Sequence, residues 1–414
     1  MPDTLIMRQL HILVAPSGFN DNLEAKQVAE CIQEGIRRVF PEDSVLIHKA
    51  PLYDGGSNFS KALLSFYDAE TRNLNINSPF YYSIPSSLGF IDGGKTAILD
   101  VAAAAGPQFI MESCPDPTRS TSYGIGELLV AALNAGCTKV IFDCGDSAAI
   151  DGGAGMLQAV GARLLDANNE DIMTIGGAPE LSRLVTIDMD DIHPRLRKQE
   201  VCIEAVYETE KVLCGYDGVA FADGLVRRAP FEQVECLSLA LDRFADVVDN
   251  ILREDVGNKP GSGVSGGLGT GLMLLGAQFQ SRHTAADEYF DLEALFKKQW
   301  DLVITGAGLF SSQFAKANMS RKVAKVARKH GVHAIAVVGT VGSERTADLY
   351  DEGVSSFMAT SGAPGFLEGK ADWLIKDAVE RTMRMVQVGM TLSQNQTEPQ
   401  ALGIESGISD LDLE

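Results

Sequence analysis

The stretch Gly145-Asp-Ser-Ala-Ala-Ile-Asp151-Gly-Gly-Ala-Gly155-Met156 joins a strand-like segment to a helix-like segment through a run of glycines. A strand that ends in a glycine loop and continues as a helix presents backbone N–H groups that attract an anion. The Asp151 carboxylate beside these groups is suited to accept a proton or to hold a metal ion. The loop therefore predicts an enzyme, and phosphoryl transfer to a hydroxyl is the reaction that uses such parts.

The composition is typical of a globular protein with two domains. The chain has 414 residues, of which 45% are hydrophobic and 22% charged, and this length exceeds one ordinary hydrophobic core. It contains no apolar run of the length that predicts a membrane span, and its N-terminus does not resemble a secretory signal. The net charge of −21 repels phosphates, so we expect neither a nucleic-acid partner nor an anionic membrane.

The cysteines and histidines exclude several kinds of site. The seven cysteines form no C-x-x-C pair, so we expect buried free thiols in a reducing cytoplasm rather than a zinc site or disulfides. The six histidines lie outside the glycine loops, and none has an evident acid or nucleophile partner, so a hydrolytic triad is not supported. The cysteines are Cys31, Cys114, Cys137, Cys144, Cys202, Cys214 and Cys236.

The two ends of the chain share one pattern of alternating strand and helix. Residues 11–15 form a short apolar run, and apolar residues at helical spacing follow between residues 23 and 40. Near the other end, a strand at 301–308 enters a glycine loop, and a helix at 319–331 precedes a strand at 333–338. Both ends therefore predict βαβ units of one parallel sheet.

We predict an α/β fold with two domains. Residues 1–64 and 291–390 together form a Rossmann-like parallel α/β domain, into which a mixed α/β domain, residues 65–290, is inserted. Residues 391–414 are polar and acidic without clear periodicity, which predicts a flexible tail.

Local signals set further expectations about helix ends. Asn20 or Asn22 is a candidate cap for the first helix, and a later helix is expected from Gly153 to Leu164. Asp100 ends an apolar strand and precedes four alanines, so it either caps a helix or contacts a substrate.

Four glycine-bearing loops follow predicted strands and indicate a shared cleft. They span residues 16–23, 54–58, 145–155 and 306–313. Ligands of open parallel sheets bind beyond the carboxyl ends of the strands, which is where these loops lie. Each loop taken alone also fits an ordinary turn or close packing.

Several polar residues in and near these loops are candidates for chemistry. Asp54 and Asp151 each begin an Asp-Gly-Gly tripeptide that lets a ligand approach closely, and for Asp54 a simple turn is an equal alternative. Arg119 and Ser122 precede a helix and are suited to bind a carboxylate, with helix capping as the alternative for Ser122. The glycine run at 261–271 follows no clear strand, so it is a weak dinucleotide fingerprint.

Over roughly residues 10 to 388 the chain resembles the bacterial type I glycerate kinase family. Six segments carry the resemblance in order: Ala15-Pro16 with Phe19 and Leu23, Asp54–Gly56, Asp116–Gly124 with Gly126-Glu127, Asp151–Gln158, Pro260–Gly263 with Gly266–Gly269, and Asp301–Gly306. The resemblance implies ATP-dependent phosphorylation of a hydroxyl of glycerate or a related small hydroxy acid, with Mg²⁺, in a cleft between two α/β domains.

The chain departs from this family at several charged positions. The first loop ends in Asn20 where the family usually has lysine, and its acid is replaced by Ser17. The central loop carries Asp146, Ala149 and Ile150 in place of a glycine, a hydroxyl and an amide. The segment from Gly306 keeps its glycines and Gln313 but lacks two acids, an arginine and a threonine of the family pattern.

Two interpretations of these departures stay open. Phosphoryl transfer depends on positioning and on cations that neutralise the transferred group, so fewer charged residues mean fewer of its usual parts. The chain is either a working kinase or a catalytically weak or inactive relative that binds a small ligand or a protein partner, or acts on a changed substrate.

Loops and resemblance together give a set of candidate site residues. The catalytic candidates are Asp151 and Asp54; the substrate- or phosphate-binding candidates are Arg119, Ser122, Ser147, Gly152, Gly153 and Gln313; the nucleotide-binding candidates are Gly266, Gly267, Gly306 and Gly308. No residue is assigned to a metal, although the resemblance implies Mg²⁺ beside ATP. The expected partners are a nucleotide and a small hydroxy acid, bound by a cytoplasmic monomer or homodimer.

Overall fold

The computed structural model describes most of the chain. The described residues are 8–19, 23–53, 59–110, 116–173, 177–226, 229–310, 319–341, 350–360 and 371–397. Asp54 and Gln313 lie outside them, as do Asn20 and Asn22. Among the described helices, none combines the length and apolarity needed to cross a bilayer.

Two sheets and the helices around them form the fold. The strands are β1 (Leu10–Pro16), β2 (Val45–Lys49), β3 (Glu70–Asn77), β4 (Ser83–Ile91), β5 (Thr96–Asp100), β6 (Lys139–Cys144), β7 (Arg163–Leu165), β8 (Thr186–Asp188), β9 (Cys202–Tyr207), β10 (Gln278–Ser281), β11 (Leu302–Phe310), β12 (Ala334–Val341) and β13 (Ser356–Ala359). The helices are α1 (Ala25–Arg37), α2 (Phe59–Phe66), α3 (Val101–Ala105), α4 (Tyr123–Asn134), α5 (Ala154–Ala159), α6 (Pro194–Arg197), α7 (Val219–Val226), α8 (Phe231–Leu252), α9 (Val264–Leu274), α10 (Arg282–Tyr289), α11 (Leu292–Leu295), α12 (Met319–Lys329) and α13 (Ala371–Thr397).

The first sheet is parallel, with the order β13-β12-β11-β1-β2. Strand β1 lies between β11 and β2, and its Val14 pairs with Ile304 on one side and with Lys49 on the other. Helices α1 and α13 cover one face and α12 the other, so residues 12–15 are buried on both faces. This explains why β1 is a continuous apolar run rather than an alternating one.

The second sheet is mixed, with the order β10-β9-β6-β5-β4-β3. Strands β5, β6, β9 and β10 are parallel, and β3 and β4 add an antiparallel edge. The prediction of an α/β fold with a parallel sheet and a mixed one is confirmed.

A shared apolar core joins the two sheets. Leu13 and Val303 of the first sheet lie in one buried cluster with Ile141 and Val206 of the second. The strands of the first sheet all fall within 1–64 and 291–390, and those of the second within 65–290. The domain boundaries themselves stay a prediction, and the one at residue 64 falls inside α2, whose Phe59 also lies in the shared core.

The structure corrects two predicted helix ends and favours the capping alternative at Asp100. Helix α1 is capped by Glu24, whose side chain forms a capping box with Gln27, rather than by an asparagine. Helix α5 ends at Ala159 rather than at residue 164, because the chain turns at Gly161, whose φ is +104°, and enters β7. Helix α13 continues to Thr397, into the segment predicted to be a flexible tail. Asp100 does cap α3, accepting a hydrogen bond from the Ala103 N–H.

The two glycine-rich segments of the chain pack against each other, backbone to backbone. The Gly271 N–H donates to the Gly152 carbonyl over 3.0 Å, and a Cβ at Gly153 would lie 3.1 Å from the Gly271 Cα. Gly266 has a φ of +71°, and a Cβ there would lie 1.7 Å from the Ala149 carbonyl oxygen. The glycines therefore serve close approach between the loop after β6 and the start of α9.

We predict that Gly266→Ala lowers the free energy of unfolding by at least about 3 kcal/mol, because a rigid backbone clash adds to the left-handed strain. Gly276→Ala is the matched control: its φ is +77°, but a Cβ there meets nothing within 4 Å. The control is expected to cost about 1–2 kcal/mol. Urea unfolding of both variants measures the difference, and equal losses contradict the packing role of Gly266.

The described cysteines differ in burial, with Cys214 intermediate, which corrects in part the expectation of buried free thiols. Cys31, Cys137 and Cys144 are buried, whereas Cys202 and Cys236 are exposed. Burial raises the pKa of Cys31 to about 11 and that of Cys144 to about 12. Cys114 lies outside the described residues.

Alkylation by iodoacetamide at mildly alkaline pH is expected to modify Cys202 and Cys236 first. The thiolate is the reactive form, and a raised pKa together with burial leaves little of it at Cys31 or Cys144. Peptide mass spectrometry over time resolves the order. Modification of Cys144 as fast as Cys202 in the folded protein contradicts the prediction.

Candidate functional site

The Asp151 carboxylate is buried and held by many donors. Its side chain is 1% exposed, and it lies between the start of α4 and the start of α5. The donors that reach its two oxygens are the Ser122 N–H at 2.7 Å, the Ser122 hydroxyl at 3.0 Å, the Thr121 hydroxyl at 3.2 Å, the Gly153 N–H at 3.0 Å and the Gly155 N–H at 3.1 Å.

This arrangement fills the anion position that the glycine loop was predicted to offer to a phosphate. The N–H groups of Gly153 and Gly155, at the first turn of α5, donate to Asp151 itself. Burial raises the pKa of Asp151, and the N–H groups of Ser122, Gly155 and Gly153 act in the opposite direction. The Asp151 carboxylate therefore occupies the anion position of its own loop. A direct catalytic role for Asp151 stays a prediction.

Ser122 and Ser147 are also occupied within the protein. Besides donating to Asp151, the Ser122 hydroxyl accepts a hydrogen bond from the Met156 N–H over 2.9 Å. The Ser147 hydroxyl accepts from the Ala149 N–H and donates to the Ala105 carbonyl. Both serines stabilise the loop, and their predicted contact with a substrate is not tested.

The remaining candidates lie in two places. Arg119 is exposed beside the loop, since the adjacent Ser120 accepts a hydrogen bond from the Ile150 N–H. Gly266 and Gly267 are buried against the Gly152 loop. Gly306 and Gly308 belong to β11 of the first sheet.

The loop after β1 and the end of β11 meet, as the cleft prediction requires. The Ser17 N–H donates to the Gly306 carbonyl over 2.7 Å, and the Gly308 N–H donates to the Gly18 carbonyl over 3.2 Å. Asp54 and Gln313, the other two candidates, lie outside the described residues.

A cluster that the sequence did not reveal lies at the carboxyl ends of the second sheet's parallel strands. Arg282, which follows β10, is 4% exposed and pairs with Asp143 near the end of β6, with Nη2 and Oδ1 2.7 Å apart. Its Nη1 reaches Glu208, which follows β9, over 3.4 Å. Glu208 is the accessible carboxylate of this group, with 39% of its side chain exposed.

Tyr53 connects this cluster to the first sheet. It follows β2, and its hydroxyl donates to Glu208 over 3.4 Å. Because Tyr53 lies beyond the carboxyl end of β2, the carboxyl edges of the two sheets meet at Glu208. The Gly145 loop adjoins the same place, since a Cβ at Gly145 would lie 3.5 Å from the Arg282 Nη2.

The two aspartates of the cluster are fully engaged. Asp100 and Asp143 are register partners on β5 and β6. Ser60 joins them by donating its N–H to Asp143 and its hydroxyl to Asp100. Burial raises the pKa of Asp143, and the Arg282 guanidinium opposes that rise.

One sequence signal pointed towards this cluster. The apolar run that precedes the Gly145 loop ends in Asp143, as the earlier apolar strand ends in Asp100, and acids at neighbouring strand ends are expected to meet. Nothing local marked Arg282 or Glu208, because their significance depends on which strands are neighbours.

Comparison with known proteins places the chain in a family. The model of the glycerate kinase family matches residues 12–387. Glycerate 2-kinase of Escherichia coli K12 is 32% identical over 87% of this chain and 92% of its own, and glycerate kinase of Haemophilus influenzae is 33% identical over 84% and 90%.

The chain belongs to the glycerate kinase family.

A solved structure assigned as glycerate kinase 2 from Salmonella typhimurium LT2 superposes with a TM-score of 0.74 at 30% identity. The superposition covers 94% of this chain and all of that one. The family resemblance found in the motifs is therefore confirmed, and so is the fold.

The glycerate kinase family implies Mg²⁺, and the described acids do not fit such an ion. Both oxygens of Asp100 and both of Asp143 already accept protein donors. Within the described ranges, no three His, Cys, Asp or Glu side chains group closely enough to hold a metal ion. The described residues therefore provide no assigned ligand set for magnesium.

We expect Asp151→Asn to lower the free energy of unfolding by at least about 3 kcal/mol. The amide carries no charge and replaces one acceptor oxygen by a donor that faces the Ser122 and Gly155 donors. Asp146→Asn, a change at an exposed acid in the same loop, is the control and is expected to stay within about 0.5 kcal/mol of the parent.

Urea unfolding and an activity assay on the same samples separate the two roles of Asp151. A variant that keeps its full stability while losing all activity contradicts the structural role and favours direct chemistry.

Proposed function

We propose that this member of the glycerate kinase family transfers the γ-phosphoryl group of ATP to a hydroxyl of glycerate or a related small hydroxy acid. The meeting of the two sheets' carboxyl edges at Glu208 carries this proposal, since that is where ligands of parallel sheets bind. Membership of the family over residues 12–387 supports the donor and the class of acceptor. A cytoplasmic location and a monomeric or homodimeric state stay predictions.

Glu208 is the residue to which we assign proton removal. It is accessible, whereas Asp143 is buried, and both oxygens of Asp100 are engaged by Ser60 and Ala103. Arg282 and Tyr53 contact its Oε2 from two sides and orient it. In the proposed step the acceptor hydroxyl gives its proton to Glu208 while its oxygen bonds to the γ-phosphorus, and the bond from that phosphorus to the β-bridging oxygen breaks to release ADP.

The cluster suits proton transfer better than phosphate binding. Asp143 and Glu208 both pair with the guanidinium of Arg282, and Asp100 lies beside Asp143 on the neighbouring strand, so carboxylates outnumber cations in the cluster. Phosphate groups need cations, and the predicted helix N-terminus is occupied by Asp151. We infer that the nucleotide phosphates bind outside both the Asp151 loop and the Gly266 loop.

The weak-kinase alternative also has an observation in its favour. Asp151 occupies the N–H groups at the start of α5, and the oxygens of Asp100 and Asp143 already accept protein donors. Fewer polar groups are therefore free to bind a substrate than phosphoryl transfer uses. The assay below decides between the two.

The test is release of ADP from Mg-ATP with purified protein and D-glycerate. Lactate, which lacks the terminal hydroxyl, and 3-hydroxypropionate, which lacks the inner one, identify the hydroxyl that accepts the phosphate. Glu208→Gln is expected to lower kcat by about 10²–10⁴-fold, the usual contribution of a general base.

Glu210→Gln is the matched control, because Glu210 is an exposed acid on the same segment. It is expected to leave kcat unchanged. Absence of nucleotide binding at millimolar concentration by calorimetry overturns the kinase proposal. Turnover that survives Glu208→Gln overturns the assignment of the base alone.

A further inference from the structure

A pocket lies at the end of the first sheet opposite to the Glu208 cluster. It has a volume of about 630 Å³ and is lined by Arg8, His11, Leu46, Ile47, His48, Lys298, Gln299 and Trp300. His11 is the second residue of β1, and Trp300 precedes β11, so the pocket opens near the amino ends of these strands. Five residues of β1 separate His11 from the carboxyl edge, about 17 Å at the usual rise of a strand.

The pocket is basic although the chain as a whole is acidic. An arginine, a lysine and two histidines line it, and none of its lining residues is an acid, in a chain of net charge −21. Burial lowers the pKa of His48, and the charge of the exposed Lys298 lowers it further, so the positive charge of the pocket comes from Lys298 and Arg8 rather than from His48. A positive patch on a negative surface attracts anions from solution.

The walls of the pocket are held in place by the protein. Arg8 donates to Asp301 over 2.9 Å, and the other oxygen of Asp301 accepts the His11 N–H over 2.8 Å. The Trp300 indole N–H donates to the Leu295 carbonyl over 2.7 Å. The site therefore does not have to be assembled by a ligand.

Beside the cations lies an aromatic pair whose tryptophan, Trp300, belongs to the core and is 8% exposed. The rings of His48 and Trp300 stack with centroids 5.5 Å apart and planes 26° apart. Leu46, which is 49% exposed, adds apolar surface at the opening. Aromatic faces and aliphatic side chains of this kind receive a flat apolar group, while the cations receive an oxyanion.

We propose that this pocket binds a small organic oxyanion that carries a flat apolar group, at a site separate from the Glu208 cluster. The oxyanion lies against Lys298 and Arg8, and the flat group lies against the wall of Trp300 and Leu46. The proposal does not depend on the proposed kinase reaction, because none of its lining residues takes part in that reaction.

The fluorescence of Trp300 can report binding in the pocket. The chain has two tryptophans, and the other, Trp373, is exposed on α13. In a Trp373→Phe background, the fluorescence of Trp300 is followed while phenyl phosphate, benzoate, inorganic phosphate and acetate are added separately. The two aromatic probes distinguish a phosphate from a carboxylate, and the two simple anions show what the flat group contributes.

Phenyl phosphate or benzoate is expected to change the emission of Trp300 with saturation at millimolar concentration or below. The matching simple anion is expected to bind more weakly, by at least about fivefold, because it makes no contact with the flat wall. Lys298→Gln is expected to weaken the aromatic probe by about tenfold, since it removes a charged donor.

Two control variants locate the ligand. Lys297→Gln removes a neighbouring exposed charge outside the pocket and is expected to leave the affinity unchanged. Lys61→Gln tests a groove of about 1070 Å³ that shares Ile47 and His48 with the pocket but has its own lysines. It is likewise expected to have no effect.

Three results overturn the proposal. The first is no change in Trp300 emission with any of the four probes. The second is equal affinity for aromatic and simple anions, which denotes attraction to charge alone. The third is an equal loss in the Lys61→Gln or Lys297→Gln variant, which places the anion elsewhere.

Discussion

The hydrogen bonds around the Asp151 carboxylate are the constraint on which the packing of α4, α5 and α9 beside the second sheet depends. A buried charge is costly unless donors surround it, so the residues that supply those donors cannot move independently. Through them Asp151 fixes the chain before α4, at Thr121 and Ser122, to the start of α5, at Gly153 and Gly155. The same loop then packs against α9 through Gly152.

That constraint also determines where chemistry can take place. The N–H groups at the start of α5 donate to Asp151 and are not open to a ligand. The loop instead positions Gly145 next to Arg282. Ser265 reinforces this support by donating its hydroxyl to the Gly145 carbonyl over 2.7 Å. The open groups are found instead at Glu208, where Tyr53 of one sheet and Arg282 of the other converge. The proposed reaction centre at Glu208 is shared between the two sheets, so it depends on how the sheets pack against each other.

Charged side chains differ between the two ends of strand β1. The cluster at the carboxyl edge is rich in carboxylates, whereas the pocket at the opposite end of β1 is lined by Lys298 and Arg8 and by no acid. The acidic surface of the chain makes the cationic pocket a local exception, and anions therefore favour it over the rest of the surface. Strand β1 passes between the two places, and its buried residues contribute to the cores on both faces of the first sheet.

Local patterns were enough to predict strand β1 and the family, and they offered the cap at Asp100 as one of two alternatives, because periodicity, capping residues and motif order can be read from the sequence alone. The loop at Asp151 was located in the same way, but its role was not. Only the tertiary structure brought Ser122 to Asp151 across 29 residues and Arg282 to Asp143 across 139. The physical reason for the first is that a glycine loop offers the same N–H groups whether a ligand or a side chain occupies it. The reason for the second is that the order of strands in the sheet, which the sequence does not display, determines which side chains meet at the strand ends.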